Sequence, residues 1–164
     1  METIDIVIET PKGSAQKYNY DPQSNFFRLS KILPAGMVFP FDFGFIPNTR
    51  GEDGDPLDIM IISEFQSFPG CMITCRIIGG IKAKQTEKEK TGKIRNDRFI
   101  AVPVASLLFQ KILDVKDLPD KMIGELQDFF VFYNKIRGVI FTPIAVLNSK
   151  SALKLIKLTN TGEL

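Results

Sequence analysis

The sequence predicts a mainly β, α+β domain built around a small curved sheet, and three observations point there. Short alternating or wholly apolar runs recur between Gly, Pro and Asp turns. One run, residues 71–81, is long and interrupted by Gly79-Gly80. A single stretch after Pro119 carries a full helical period. Long strands with a glycine bulge bend, and bent strands close small barrels. With 164 residues, 44% hydrophobic and 24% charged, the chain suits one domain, residues 1–164, with an ordinary core.

Residues 3–9 alternate as a strand, with Ile4, Ile6 and Ile8 on one face and Asp5, Val7 and Glu9 on the other. After a turn at residues 11–14, residues 16–20 form a second strand that sets Lys17 and Asn19 against Tyr18 and Tyr20. Asp21-Pro22 turns the chain into a short strand at 26–29, and Leu33-Pro34-Ala35-Gly36 turns it again. The aromatic segment 37–45 contains Pro40, which limits it to an edge or irregular strand. Residues 57–62 read as a buried strand. Phe68-Pro69-Gly70 leads into the bulged strand 71–81; residues 82–95 are highly charged and read as an extended hairpin tip; residues 97–103 return as a strand. Residues 107–113 fit neither period. Pro119 opens the best helix, with Met122, Leu126, Phe129, Phe130 and Tyr133 on one face. A strand at 139–147 leads to Ser149 or Ser151 as N-cap of a short helix ending at Leu158.

The chain contains no histidine, which excludes the usual serine and cysteine triads, histidine zinc sites and phosphohistidine chemistry. A net charge of +2 gives no field strong enough to argue for nucleic acid, so no such partner is expected, yet it leaves room for a small anion. The first residues, Met-Glu-Thr-Ile-Asp-Ile, are acidic where a signal peptide is basic, and no apolar run approaches a membrane span, so a cytoplasmic protein without membrane contact is expected. Cys71 and Cys75 fall on one strand face and read as core thiols. The densest chemistry is residues 51–58, Gly-Glu-Asp-Gly-Asp-Pro-Leu-Asp, with four carboxylates at the entrance to a strand. Such a cluster either spreads into solvent or holds a cation, and oxygen-only ligands suit magnesium, manganese or calcium. Leu57 stands where an EF-hand loop needs a ligand, so that motif is excluded.

Beside this loop lie further motifs in order: Ile-Glu-Thr-Pro-Lys-Gly-Ser with Lys17-Tyr18, then Phe-Pro-Phe-Asp-Phe-Gly-Phe-Ile-Pro-Asn-Thr at 39–49, then Ala101-Val102-Pro103, Asp117-Leu118-Pro119, and Phe129-Phe130 with Tyr133. With Asp-Gly-Asp-Pro-Leu-Asp at 53–58, the chain resembles the single-domain, magnesium-dependent soluble inorganic pyrophosphatases over roughly residues 4–134. The resemblance implies an OB-like closed β-barrel with peripheral α-helices, a Mg2+ cofactor with Mn2+ as a substitute, and a homo-oligomer, hexamer or dimer. It implies hydrolysis of pyrophosphate to two phosphates. Two alternatives stay open: a catalytically silent relative that binds phosphate or pyrophosphate, and a metal-dependent phosphohydrolase acting on another small phosphate compound.

Carried over residue by residue, the resemblance makes Asp53 and Asp58 metal ligands, with Asn96 and Glu9 as further metal positions. Asp55 helps deprotonate the attacking water, and Lys17, Lys31, Arg98 and Tyr133 contact phosphate. Several positions depart from the family pattern. Lys31 stands for an arginine, Phe43 for a tyrosine, Arg98 for a lysine and Asn134 for a phosphate-binding lysine; Asn19, Asn96 and Gln85 stand for carboxylates. Amides still ligate magnesium but add no charge, so weaker metal assembly is expected. Glu87, Glu89 or Asp97 would supply the missing carboxylates if the hairpin were shifted by one residue. Asp53→Ala and Asp58→Ala are each expected to abolish metal binding while leaving the fold intact, because the loop binds a ligand rather than forming core, and relief of mutual repulsion favours the metal-free fold.

Overall fold

The structure, a computed structural model, describes residues 2–86 and 91–162. In chain order its strands are β1 (Ile4–Thr10), β2 (Gln16–Asp21), β3 (Phe26–Ile32), β4 (Asp42–Ile46), β5 (Leu57–Ile61), β6 (Met72–Thr86), β7 (Lys93–Arg95) and β8 (Arg98–Pro103). Helix α1 (Met122–Ile136), strand β9 (Phe141–Asn148) and helix α2 (Ser149–Leu158) follow. β1 pairs with β4, β4 with β5, β5 with β8, β8 with β6, and β6 again with β1. The path returns on itself, so five strands close the OB-like barrel the resemblance implies. β2 and β3 form a separate hairpin, and β7 and β9 extend β6 beyond the ring.

One apolar cluster draws on all five ring strands, with Ile6, Ile46, Ile61, Ile77 and Phe99 among its members, and therefore fills the barrel; Ala152 and Ile156 of α2 complete it. The second lies outside the ring, where Met60, Ile62, Ile100 and Val102 meet Leu126, Phe130 and Tyr133 of α1. Successive residues of β5 and β8 thus face different cores, which is why these strands read as unbroken apolar runs. Each fully buried Ile or Phe contributes about 1.5–3 kcal/mol. Closure requires glycine where strands crowd. A Cβ on Gly44 would collide with the Val7 carbonyl, and one on Gly79 with the Leu147 carbonyl. The register of β6 against β8 shifts between Ile77 and Gly79, at the glycine pair that suggested a bulge.

Several boundaries differ from the sequence expectation. β3 runs on to Ile32. β4 is flanked on both sides and is no edge strand; Pro40 precedes it, so no ladder bond is lost. β6 continues to Thr86 because β9 and β7 pair with its charged extension. α1 begins at Met122, whose N–H bonds the Pro119 carbonyl at 2.9 Å, so the proline sits in the turn before the helix. The N-cap of α2 is Asn148, which accepts from Ser151 N at 2.8 Å, rather than either serine. Among the described residues no helix is long and apolar enough to cross a membrane.

Residues 107–113, which fit no period, are held by a side chain distant in sequence. Glu64 accepts from Ser106 Oγ at 2.6 Å and Leu107 N at 2.7 Å, and these bonds draw its carboxyl down to about 2 from an ordinary 4.5. A depressed folded-state value stabilises the fold above the unfolded value and is lost as pH falls through the folded one. Glu64→Gln is therefore expected to lower the melting temperature at pH 7, with the difference closing between about pH 4.5 and 2. A melting series against pH checks this.

Candidate active site

The loop entering β5 is shaped by Gly54, at φ +89°, and by bonds from Gly54 N to Gly51 O (3.1 Å) and from Gly51 N to Asp55 O (2.8 Å). It overlooks a cleft of about 560 Å³. Every residue the sequence nominated lines this cleft: Glu9, Lys17, Lys31, Asp53, Asp55, Asp58, Asn96, Arg98 and Tyr133. Asn19, Phe43 and Gln85 line it as well.

Strand register explains the central contacts. β5 and β8 run parallel with Ile59 opposite Phe99, which sets Asp58 beside Arg98; their Oδ2 and NH1 lie 2.8 Å apart. Asn96 joins the two halves of the site. Its Nδ2 donates to Asp53 Oδ2 at 3.1 Å, and its Oδ1 accepts from Arg98 at 2.5 Å. An aspartate could make only the second bond. On the opposite wall the register of β1 against β4 shifts between Ile8 and Thr10, and Glu9 sits at that irregularity. Glu9 accepts from Tyr20 N at 2.9 Å and from Lys17 Nζ at 3.2 Å, while the lysine also lies 4.8 Å from the Phe43 ring centre. Tyr133 packs among Phe39 and Phe129, and burial pushes its hydroxyl up to about 12.

Electrostatics set the loop apart from a solvated turn. The Asp53 carboxyl is raised above its usual range mainly by burial, with repulsion from Asp58 adding to it. Asp55, although exposed at the rim, is raised by partial desolvation and then by Asp58, against an opposing pull from Arg137. Burial likewise raises Glu9 and lowers Lys17. Two polar atoms of residues that line the cleft, Gln85 Oε1 and Arg98 Nε, are buried without a partner among the described residues. An unmet buried group costs about 1–3 kcal/mol, so the cleft offers an acceptor to a cation or its water and a donor to an anion. Among the described residues no three acidic side chains converge to cage an ion. Magnesium needs no such cage, since it is commonly held by one or two carboxylates with water completing its shell. The oxygen donor set therefore fits Mg2+ or Mn2+.

Two sequence readings change. Asp97 turns away from the cleft, accepting from Ala83 N at 3.0 Å and pairing with Arg95 at 2.8 Å, so the strand is not shifted and Asn96 faces the site. Glu87 and Glu89, the other carboxylates considered, lie outside the described residues. Asp58 has a second task. It is the counter-ion of Arg98, which is only 3% exposed, so losing it does more than relieve repulsion. The sequence reading also missed Arg137, which lines the cleft from the end of α1. Its helical spacing from Tyr133, one turn earlier, was the available signal.

Fold and site together define a small β-barrel whose cleft is equipped for a divalent cation and a compact anion. The family model for inorganic pyrophosphatase matches residues 6–161, and the chain belongs to the inorganic pyrophosphatase family. It is 36% identical over 133 residues to an inorganic pyrophosphatase of Synechocystis sp., covering 81% of this chain and 75% of that one. It is 37% identical over 137 residues to one of Saccharolobus solfataricus, covering 82% and 76%. Among solved structures, the inorganic pyrophosphatase of Thermus thermophilus superposes with a TM-score of 0.88 at 30% identity, covering 96% of this chain and 89% of that one.

Proposed function

We propose that this chain, acting as one unit over residues 1–164, hydrolyses inorganic pyrophosphate to two phosphates in the cleft beneath the acidic loop. The observation that carries the reading is the set Asp53, Asp55 and Asp58 lining one cleft together with Arg98 and Lys17. Asp53 and Asp58 would hold Mg2+ or Mn2+, with Asn96 and Glu9 supporting them. Bound there, such an ion supplies charge neutralisation on phosphate oxygens and a more acidic water. Asp55, whose side chain is exposed at the rim, accepts the proton of the attacking water. Lys17, Lys31 and Arg98 hold the phosphates, and Arg98 Nε is a donor without an acceptor among the described residues. Tyr133, with its hydroxyl at about 12, remains a donor throughout the working pH range.

The close Arg98–Asp58 pair favours a second reading, a silent phosphate binder, because a cation already occupies one carboxylate. Phosphate release from pyrophosphate, compared with nucleotides and phosphate monoesters at millimolar Mg2+, separates the two. Release from pyrophosphate alone supports hydrolysis; binding of phosphate without release from any of them supports the silent form.

The register of Asn96 and Asp97 gives a further test. Asn96→Asp adds a carboxylate facing the ion, and a gain of ~1 kcal/mol would lower the Mg2+ needed for half-maximal activity about fivefold. Asp97→Asn is expected to lower the melting temperature without moving that midpoint, since its contacts are with Ala83 and Arg95. Assembly into a homo-oligomer, dimer or hexamer, is supported by exposed apolar side chains at Phe26, Ile32, Leu107 and Leu108. A cytoplasmic setting is supported by two free cysteines.

A further inference from the structure

Among the described residues, four cations and four carboxylates line the cleft, so their charges balance. Lys17 is committed to Glu9, and Arg98 to Asp58. Arg137 is not. Among the described residues it makes no ion pair, and NH1 meets only the neutral Asn134 Oδ1, at 3.4 Å. Its guanidinium rests 5.7 Å from the Tyr133 ring centre and lines the same cleft as Asp55, whose carboxyl it draws down against burial. The group is thus aimed but uncompensated.

The end of α1 fixes this aim. Arg137 is the C-cap residue, its N–H bonds Asn134 O at 2.9 Å, and Gly138 at φ +73° ends the helix behind it. Asn134 itself is fully buried and does not reach the cleft. Its Nδ2 donates to Phe130 O at 2.8 Å, which turns Oδ1 toward Arg137. A planar guanidinium stacked on an aromatic ring is well suited to bidentate phosphate binding.

We infer that Arg137 binds one phosphate group of the substrate directly and that Asn134 is its positioning residue, so the cation missing from position 134 is supplied one turn later. The inference rests on the pyrophosphate reading above. It is tested with the full chain carrying Arg137→Gln and Arg137→Lys, by steady-state kinetics and by calorimetric titration with inorganic phosphate in Mg2+ buffer. Arg137→Gln is expected to raise KM for pyrophosphate and Kd for phosphate about tenfold or more, with a smaller change in kcat. Arg137→Lys is expected to recover part of that loss, and Mg2+ titration without anion is expected to match the unmodified protein. Asn134→Ala is expected to weaken phosphate binding when Arg137 is present and to have no such effect in the Arg137→Gln background. Unchanged KM and phosphate Kd in Arg137→Gln would overturn the inference, as would an equal loss of Mg2+ binding. If the unmodified protein binds phosphate but releases none from pyrophosphate, only the hydrolysis reading fails, and the phosphate titration still decides the role of Arg137.

Discussion

Asp55→Asn is expected to lower kcat for pyrophosphate by roughly a hundredfold to ten-thousandfold, the usual contribution of a positioned general base. The substitution keeps size and shape and removes the negative charge together with the capacity to take a proton. It is also expected to leave folding alone. Asp55 is exposed, and the bond it makes to Asp53, at 3.1 Å, comes from its backbone N–H, so the loop keeps its form. Mg2+ binding measured by calorimetry is expected to fall much less than kcat. A parallel loss of both would instead make Asp55 a metal ligand.

Asp58→Ala is expected to cost stability as well as metal binding. Arg98 is buried and would lose its only carboxylate partner among the described residues, leaving a charge whose remaining partners there are Asn96 and backbone carbonyls. Removing one partner of a buried pair commonly destabilises by about 3–5 kcal/mol; since the Asp58 side chain is 26% exposed, a loss of about 2–3 kcal/mol is expected. Asp53→Ala carries no such cost, because its partners are the amide of Asn96 and the N–H of Asp55, and water can replace it at both. Denaturant midpoints in metal-free buffer would show Asp58→Ala well below Asp53→Ala. Equal midpoints would mean that Arg98 is solvated well enough to stand alone.

The contrast shows where the sequence was legible. Asp53, Asp55 and Asp58 announce themselves because density of charge at a strand entrance is a local signal, and the helical period of α1 is equally local. That Asp58 neutralises Arg98 depends on parallel pairing of two strands forty residues apart, and nothing in either stretch encodes it. Asn148 capping α2 was missed because the preceding strand ends on the cap itself. Strand β6 reads short because its charged half owes its extended form to β9, far along the chain. Arg137 was passed over for a related reason. A position-by-position comparison sees Asn134 where a cation belongs, whereas a helix face returns to the same cleft one turn later.

Phosphate release from pyrophosphate, followed side by side for the unmodified chain and for Asp55→Asn across millimolar Mg2+ and Mn2+, bears most directly on the proposal that this cleft hydrolyses pyrophosphate. The expected result is saturable, metal-dependent release of two phosphates per pyrophosphate by the unmodified chain, nearly abolished by the substitution. Release no faster than that of Asp55→Asn at every metal concentration would contradict it.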